Sequence, residues 1–338
     1  MRVGYRRTLW AAAAAASVLA TLAGGLLLWL RFSPRPLAVL LRALSDRDGR
    51  RTAQAMARHV PDGIAELLDQ RYLGHRVHTC LDVFFPEKAA AESLRLPTVV
   101  WIHGGAWISG NKNDVANYLR ILASYGFTAV GVDYSLAHTR RYPAPVRQSA
   151  AALRYLERHA DRLHIDTERI VLAGDSAGAQ IAAQLALVVA DADYAGKLGI
   201  ASPIGAGKLR AVLLHSGAYD LSLAGASGAG NQNYLRTVLW SYTGARDYLE
   251  RPYIALASVA QHVDGRFPPA FVSAGDADPL LPHSLGLVAA LKAKGAEVEE
   301  FFPRAEKGLG HQYQFDLRQE AAWQVLRLSV EFLRRRTG

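Results

Sequence analysis

The run Ile170-Val171-Leu172-Ala173-Gly174-Asp175-Ser176-Ala177-Gly178 sets a serine between two glycines where an apolar stretch gives way to small residues. In a Gly-x-Ser-x-Gly turn between strand and helix, the tight bend holds the serine in a strained, projecting conformation. The glycines remove side chains that would collide with neighbouring elements. A serine presented this way can attack a carbonyl carbon. The pattern alone is a common accident, but here an apolar run precedes it and Ala177, Gly178, Ala179, Ala182 and Ala183 follow, so the next helix can pack close to a sheet. Upstream, Val99-Val100-Trp101-Ile102-His103-Gly104-Gly105-Ala106-Trp107 is another apolar run ending in a glycine pair. Negative charge that develops on a carbonyl oxygen needs backbone N–H groups aimed at it from a loop with little side chain in the way. Gly104 and Gly105 suit that task, with the Ala177 N–H completing the set.

A serine nucleophile needs a base, and the base needs an orienting acid. In the strand-turn-helix context above, the chain order is serine, then acid, then histidine. Ala270 to Ser273 reads as a strand running into Gly275-Asp276-Ala277-Asp278-Pro279-Leu280, after which only His283 and His311 remain. His283 falls on the first turn of the next helix, where an exposed or capping role is expected. His311, in Gly308-Leu309-Gly310-His311, falls on a loop between the last strand and the last helix and is taken as the base. Asp278 is taken as the acid, because a residue before proline is held extended and projects in a fixed direction. Asp276 is expected to hydrogen-bond the turn itself.

These groups must be held by alternating strands and helices. Strands are expected near Val77 to Phe85, Thr98 to His103, Thr128 to Asp133, Arg169 to Ala173, Leu209 to Leu214, Ala270 to Ser273 and Glu297 to Phe302. Helices are expected near Asn113 to Tyr125, Pro145 to Ala160, Gly178 to Ala190, His283 to Lys294 and Leu317 to Arg335. This is the pattern of βαβ units and a mostly parallel sheet. Ser216 to Arg266 interrupts it, and so long a structureless loop is improbable in a compact domain, so a helical cap insertion over the site is expected. That insertion carries Tyr219, Tyr234, Trp240, Tyr242, Tyr248 and Tyr253, and Trp107 adjoins the glycine pair. Trp107 and Trp240 are expected to contact substrate, in a mostly apolar and size-limited pocket.

His103-Gly104-Gly105-Ala106-Trp107, Asp133-Tyr134-Ser135-Leu136-Ala137, Tyr142-Pro143-Ala144-Pro145, Gly174-Asp175-Ser176-Ala177-Gly178, Asp278-Pro279-Leu280 and Gly310-His311 resemble, in this order, the signature blocks of hormone-sensitive-lipase-like α/β-hydrolase esterases. The resemblance covers roughly residues 76 to 335 and extends to the neighbouring isoprenylcysteine-methylesterase-like and formamidase-like branches. It implies an α/β-hydrolase fold and a serine carboxylic-ester hydrolase with Ser176, Asp278 and His311 as its triad. The apolar, size-limited pocket predicts short to medium acyl esters as small-molecule substrates, and a triad mechanism requires no cofactor or metal. The chain departs from the pattern at Ala106, where a third glycine is usual, at Ser135, where arginine is usual, and at Gln312, where glycine is usual. An amidase or formamidase uses the same machinery, and a ligand-binding homologue would be expected to have lost part of it. A dehalogenase or epoxide hydrolase would carry aspartate in place of Ser176.

Outside this block, Leu9 to Leu30 is uncharged, with Arg6 and Arg7 before it and Arg31 after it. At about 1.5 Å per residue such a run crosses the roughly 30 Å hydrocarbon core, and it exceeds the roughly 7 to 15 residues usual in a signal peptide. Residues 1–33 are therefore read as a membrane anchor that leaves the catalytic domain outside the cytoplasm, with a cleaved signal and a secreted protein as the alternative. Residues 34–75 are read as amphipathic linker or cap helices around Pro61, with Ile64, Leu67 and Leu68 at helical spacing. Residues 76–338 are read as the catalytic domain. The chain has 338 residues, half of them apolar, and a net charge of +9. Most of that excess lies in the first 51 residues, so the body is near neutral and lacks the clustered cations of a nucleic-acid grip. A single cysteine, Cys80, excludes an internal disulfide and a cysteine-based zinc site.

Overall fold

The computed structural model describes residues 2–74, 79–137, 139–226 and 229–338. Among them the strands are β1 (Ile64–Arg71), β2 (Cys80–Pro86), β3 (Leu96–Ile102), β4 (Thr128–Val132), β5 (Ile165–Asp175), β6 (Leu209–His215), β7 (Ala270–Ser273) and β8 (Val298–Phe301). The helices are α1 (Arg2–Phe32), α2 (Arg35–Met56), α3 (Glu87–Ala91), α4 (Lys112–Ala123), α5 (Ala144–Arg158), α6 (Ala177–Ala190), α7 (Ala192–Leu198), α8 (Ala229–Thr243), α9 (Pro252–Ala257), α10 (Leu281–Ala293) and α11 (Glu320–Thr337).

The strands form one sheet in the order β1-β2-β4-β3-β5-β6-β7-β8. β1 and β2 pair antiparallel, as do β2 and β4, and every later pairing is parallel. Alternation of side chains along each strand splits the core in two. Val99, Trp101, Val171, Ala173, Leu213 and Phe271 pack with α4 and α11, through Leu119, Leu122, Leu326 and Phe332. Val100, Ile102, Leu172, Leu214 and Val272 pack with α5, α6 and α10, through Val146, Leu153, Ile181, Leu185 and Leu287.

Two sequence expectations change here. Ile64 to Arg71 is a strand rather than a helix. Ile64, Ala65, Glu66 and Leu67 pair with Pro86, Phe85, Phe84 and Val83, and the antiparallel partner overrides the weak helical spacing of Ile64, Leu67 and Leu68. Their side chains are only half-buried or exposed because β1 is a sheet edge. The strand expected from Val77 begins at Cys80, and Val77 and His78 lie outside the described residues. The segment Ser216 to Arg266 is largely helical, with α8, α9 and short 3₁₀ turns, and its residues 227 and 228 are not among those described.

The fold's tightest demand is where α6 crosses β3. A Cβ on Gly178 would lie 2.0 Å from the carbonyl oxygen of Ile102 and 2.5 Å from that of His103. Both obstacles are backbone, so they cannot rotate away. Gly178→Ala is therefore expected to destabilise the fold by about 2 to 4 kcal/mol, measured as a lower urea midpoint at unchanged slope.

Candidate active site

The carboxyl ends of the parallel strands converge on one edge, and each bears one part of the site. After β5 the chain turns at Ser176, whose φ of 53° and ψ of −121° mark the strained elbow. Its amide donates to the His215 carbonyl at 2.9 Å, which pins the elbow to the end of β6. The loop after β8 brings His311 to it, with Nε2 2.9 Å from Ser176 Oγ. The turn after β7 supplies Asp278, with Oδ1 2.9 Å from His311 Nδ1. Asp278 is 4% exposed and also accepts from the Leu280 amide at 2.8 Å. Burial by itself raises its pKa, but hydrogen bonds from and the charge of His311 outweigh this and hold the carboxyl below the usual carboxylate range. Ionised Asp278 fixes the imidazole tautomer that leaves Nε2 free to accept the serine proton.

Asp276 takes a different part. Exposed to solvent, it accepts from the amides of Gly308 at 3.2 Å and Leu309 at 2.8 Å. Together with the Ala277 amide, which donates to the Leu309 carbonyl at 2.9 Å, it clips the histidine loop to the acid turn. His283 is neither exposed nor a cap. It lines the apolar cavity beside Ser176, accepts from the Asp220 amide at 3.3 Å through Nδ1, and has its pKa lowered by burial.

The loop after β3 shows one correction. The Gly104 amide donates to Asp175 Oδ2 at 3.0 Å, so it is engaged and does not face a reacting oxygen. Among the described residues the amides of Gly105 and Ala106 have no acceptor, and Ala177, first in its helix, has no preceding turn to bond. Gly105, Ala106 and Ala177 are thus the N–H groups available beside Ser176. Gly105 has a φ of +106°, and a Cβ there would lie 2.1 Å from the Ser109 carbonyl oxygen, so only glycine fits. Ala106 stands in the left-handed region at φ 52° and borders the space on both sides of Ser176. Chain spacing counts the glycines but does not say which amide an internal acceptor takes.

That acceptor is Asp175. Its carboxylate accepts from Trp101 Nε1 at 2.8 Å, from the Gly104 amide, and from Gln312 Nε2. Gln312, the residue after His311, stands at φ 59°, so its side chain does from a left-handed position what the usual glycine cannot. Asp175 and Gln312 were not singled out as site residues from the sequence. The available signal was an acid placed at the end of a buried strand. The Asp133-Tyr134 block also finds its task here, because the Tyr134 hydroxyl donates to the His103 carbonyl at 3.1 Å and its ring stacks on His103. Ser135, where arginine is usual, is satisfied by Gln148, which accepts from its amide at 2.8 Å.

Two cavities meet at Ser176. One, of about 130 Å³, is apolar and lined by Trp107, Leu235, Val238, Leu239, Leu221 and Pro279, among others. The other, of about 360 Å³, is the more polar of the two, lined by Ser45, Asp48, Thr52, Ser109 and Asp114 together with Val115 and Phe315. Trp107 is buried in the first, backed by the Tyr242 ring at 4.5 Å. Trp240 is not part of it. On α8, Tyr234, Leu235, Val238 and Leu239 turn toward the site, and Trp240, about 100° further round the helix, lies under the Arg246 guanidinium at 5.6 Å.

The BD-FAE family model matches residues 81–291. Acetyl esterases of Salmonella paratyphi B and Salmonella agona are 32% identical over 204 residues, covering 58% of this chain and 59% of theirs. The chain thus spans less than two thirds of the length of these curated relatives. Esterase B of Lactobacillus rhamnosis superposes with a TM-score of 0.76 at 21% identity, over 89% of this chain and 96% of that one. A thermostable carboxylesterase cloned from a metagenomic library gives 0.70 at 23% identity, over 91% and 99%. The shared architecture is the α/β-hydrolase fold expected from the motif order.

Burial raises the Asp175 pKa to about 6, against the opposing donation of Trp101 and the Gly104 amide. A carboxyl with a folded pKa above its unfolded value near 3.8 contributes stability below that value and loses it as pH rises through about 6. This group is expected to lower stability by about 2 kcal/mol between pH 4 and 6. Asp175→Asn should remove that slope in urea unfolding followed over the same range.

Proposed function

The chain belongs to the BD-FAE family, and from that premise we propose that it is a serine carboxylic-ester hydrolase acting on short to medium acyl esters through an acyl-enzyme. The observation that carries the reading is the continuous chain from Ser176 Oγ to His311 to Asp278, with both links at 2.9 Å. His311 Nε2 takes the serine proton as Oγ attacks the ester carbonyl, while Asp278 holds the ring and stabilises the imidazolium. The amides of Gly105, Ala106 and Ala177 receive the developing oxyanion. The same imidazole then protonates the departing alcohol and activates the water that cleaves the acyl-enzyme.

The apolar cavity supports a small acyl group. Its 130 Å³ is slightly less than the roughly 150 Å³ of an apolar cavity that takes benzene. The acetyl esterases among the relatives carry a name that agrees with an acyl group of this size. The polar recess on the other side of Ser176 is the place for the alcohol. We also propose that α1 anchors the protein in a membrane, since residues 14–32 form a helix long and apolar enough to cross one.

Ser176→Ala is expected to lower p-nitrophenyl acetate turnover by about 10⁴-fold or more with an unchanged melting temperature. Retained turnover would falsify the mechanism. Among p-nitrophenyl esters, Leu239→Ala should move the optimum toward longer acyl chains, each methylene being worth about 1 to 3 kcal/mol, whereas Trp240→Ala should leave the profile where it was. The full-length chain is expected to stay with membranes in alkaline carbonate, and its release there would remove the anchor.

A further inference from the structure

Helix α2 has two sides, and its inner side has two tasks along its length. Ala38, Leu41 and Met56 pack inward against the core. Ser45, Gly49 and Thr52 form a wall of the polar recess beside Ser176. The outward face carries large aliphatic side chains in open solvent, with Val39 61%, Leu40 55% and Leu44 54% exposed. Beyond them, on the same outward side, stand Arg47, Arg50 and Arg51, with Asp48 3.8 Å from Arg51. Neither helix propensity nor core packing accounts for leucines on an outer face.

Their order along the chain does. Only Ser33 and Pro34 separate α2 from α1, whose last residue, Phe32, is 73% exposed. The Arg246 side chain, just beyond α8, donates to the Arg31 carbonyl at 3.4 Å, so the end of α1 lies against the cap insertion. From the apolar spanning helix outward, the exposed side of α2 is first aliphatic and then basic. That is the gradient an amphipathic helix needs at a bilayer surface, aliphatic groups level with the acyl boundary and guanidiniums level with the phosphates. The cap adds exposed Leu223 and Leu249, and Tyr234, which borders both cavities.

We propose that α2 lies in the membrane interface, with Val39, Leu40 and Leu44 inserted and Arg47, Arg50 and Arg51 on anionic headgroups. The mouth between α2 and α8 then opens at the bilayer surface, and esters dissolved in the membrane reach Ser176 from the lipid side. The occupant of this face is a bilayer and not a second copy of the chain, because a two-fold pairing would set Arg47, Arg50 and Arg51 of each copy against either the arginines or the aliphatic side chains of the other, whereas a bilayer offers acyl chains to one end and anionic headgroups to the other. The substrate part of the proposal rests on the esterase reading, and the docking part does not.

The full-length chain, reconstituted in phosphatidylcholine and phosphatidylglycerol vesicles, tests both. In a Cys80→Ser background, a fluorophore on Leu40→Cys or Leu44→Cys should be quenched strongly by spin-labelled lipid. A fluorophore on Leu94→Cys, beside the amino end of β3, should not. Quenching at Leu40 no stronger than at Leu94, as a protein partner on this face would produce, overturns the docking. Leu40→Glu combined with Leu44→Glu should slow hydrolysis of dodecyl acetate carried in the vesicles by about tenfold or more. Hydrolysis of soluble p-nitrophenyl acetate should stay within about twofold of wild type. Equal rates on the vesicle-borne ester for variant and wild type overturn delivery from the membrane. An inactive wild type on p-nitrophenyl acetate counts against the esterase reading alone, because the quenching result is independent of turnover.

Discussion

The site depends on one buried carboxylate. Asp175 sits at the carboxyl end of β5, fully enclosed, and accepts hydrogen bonds from β3 through Trp101, from the loop after β3 through the Gly104 amide, and from the histidine loop through Gln312. Removing an ionised carboxyl from water costs several kcal/mol. Charge-assisted donors, worth about 1.5 to 3 kcal/mol each, offset that cost only when all are in place. β3, the loop that follows it and the loop that carries His311 are thereby held to a single point one residue from Ser176. The raised pKa of Asp175 shows that the compensation is incomplete, which is the cost of using a charge as the common anchor.

Around that anchor the strain is concentrated in backbone rather than side chains. Ala106, Trp107, Ser176, Ser216 and Gln312 all stand at positive φ, and all border the catalytic edge of the sheet. Non-glycine residues pay a steric penalty in this region, and the surrounding bonds enforce it. The Ser176 amide bonds the His215 carbonyl, the Trp107 ring is clamped between the cavity and Tyr242, and the Gln312 side chain bonds Asp175. His215 itself stays neutral, its pKa lowered to about 3 by burial, so it packs on Trp101 without adding charge next to the elbow.

The division of the site into an apolar and a polar half follows from which elements reach it. The cap insertion and Trp107 wall the apolar half, whereas α2 and the loop after β3 wall the polar half. One wall therefore belongs to the helix that continues directly from the apolar N-terminal one. The mouth beside Ser176 and the apolar N-terminal helix are joined through that helix.

Much of this was legible from residue order. The elbow, the glycine pair, the acid turn and the last histidine each follow a short apolar run, because parallel strands must present their carboxyl ends on one edge, and Ser176, Asp278 and His311 could be named before any contact was known. The insertion was legible for the same reason, since fifty residues between two strands must fold on something. What stayed hidden depends on distances between segments remote in sequence. Helical spacing in Ile64, Leu67 and Leu68 gave way to a strand because Val83 to Pro86 offered a partner. Trp240 left the pocket because the rotation of α8, set by packing, put Tyr234 and Leu239 there instead. The Gly104 amide is engaged by Asp175 while those of Gly105 and Ala106 stay open beside Ser176, because a buried acceptor recruits the nearest donor, and nearness is decided only when the chain has closed on itself.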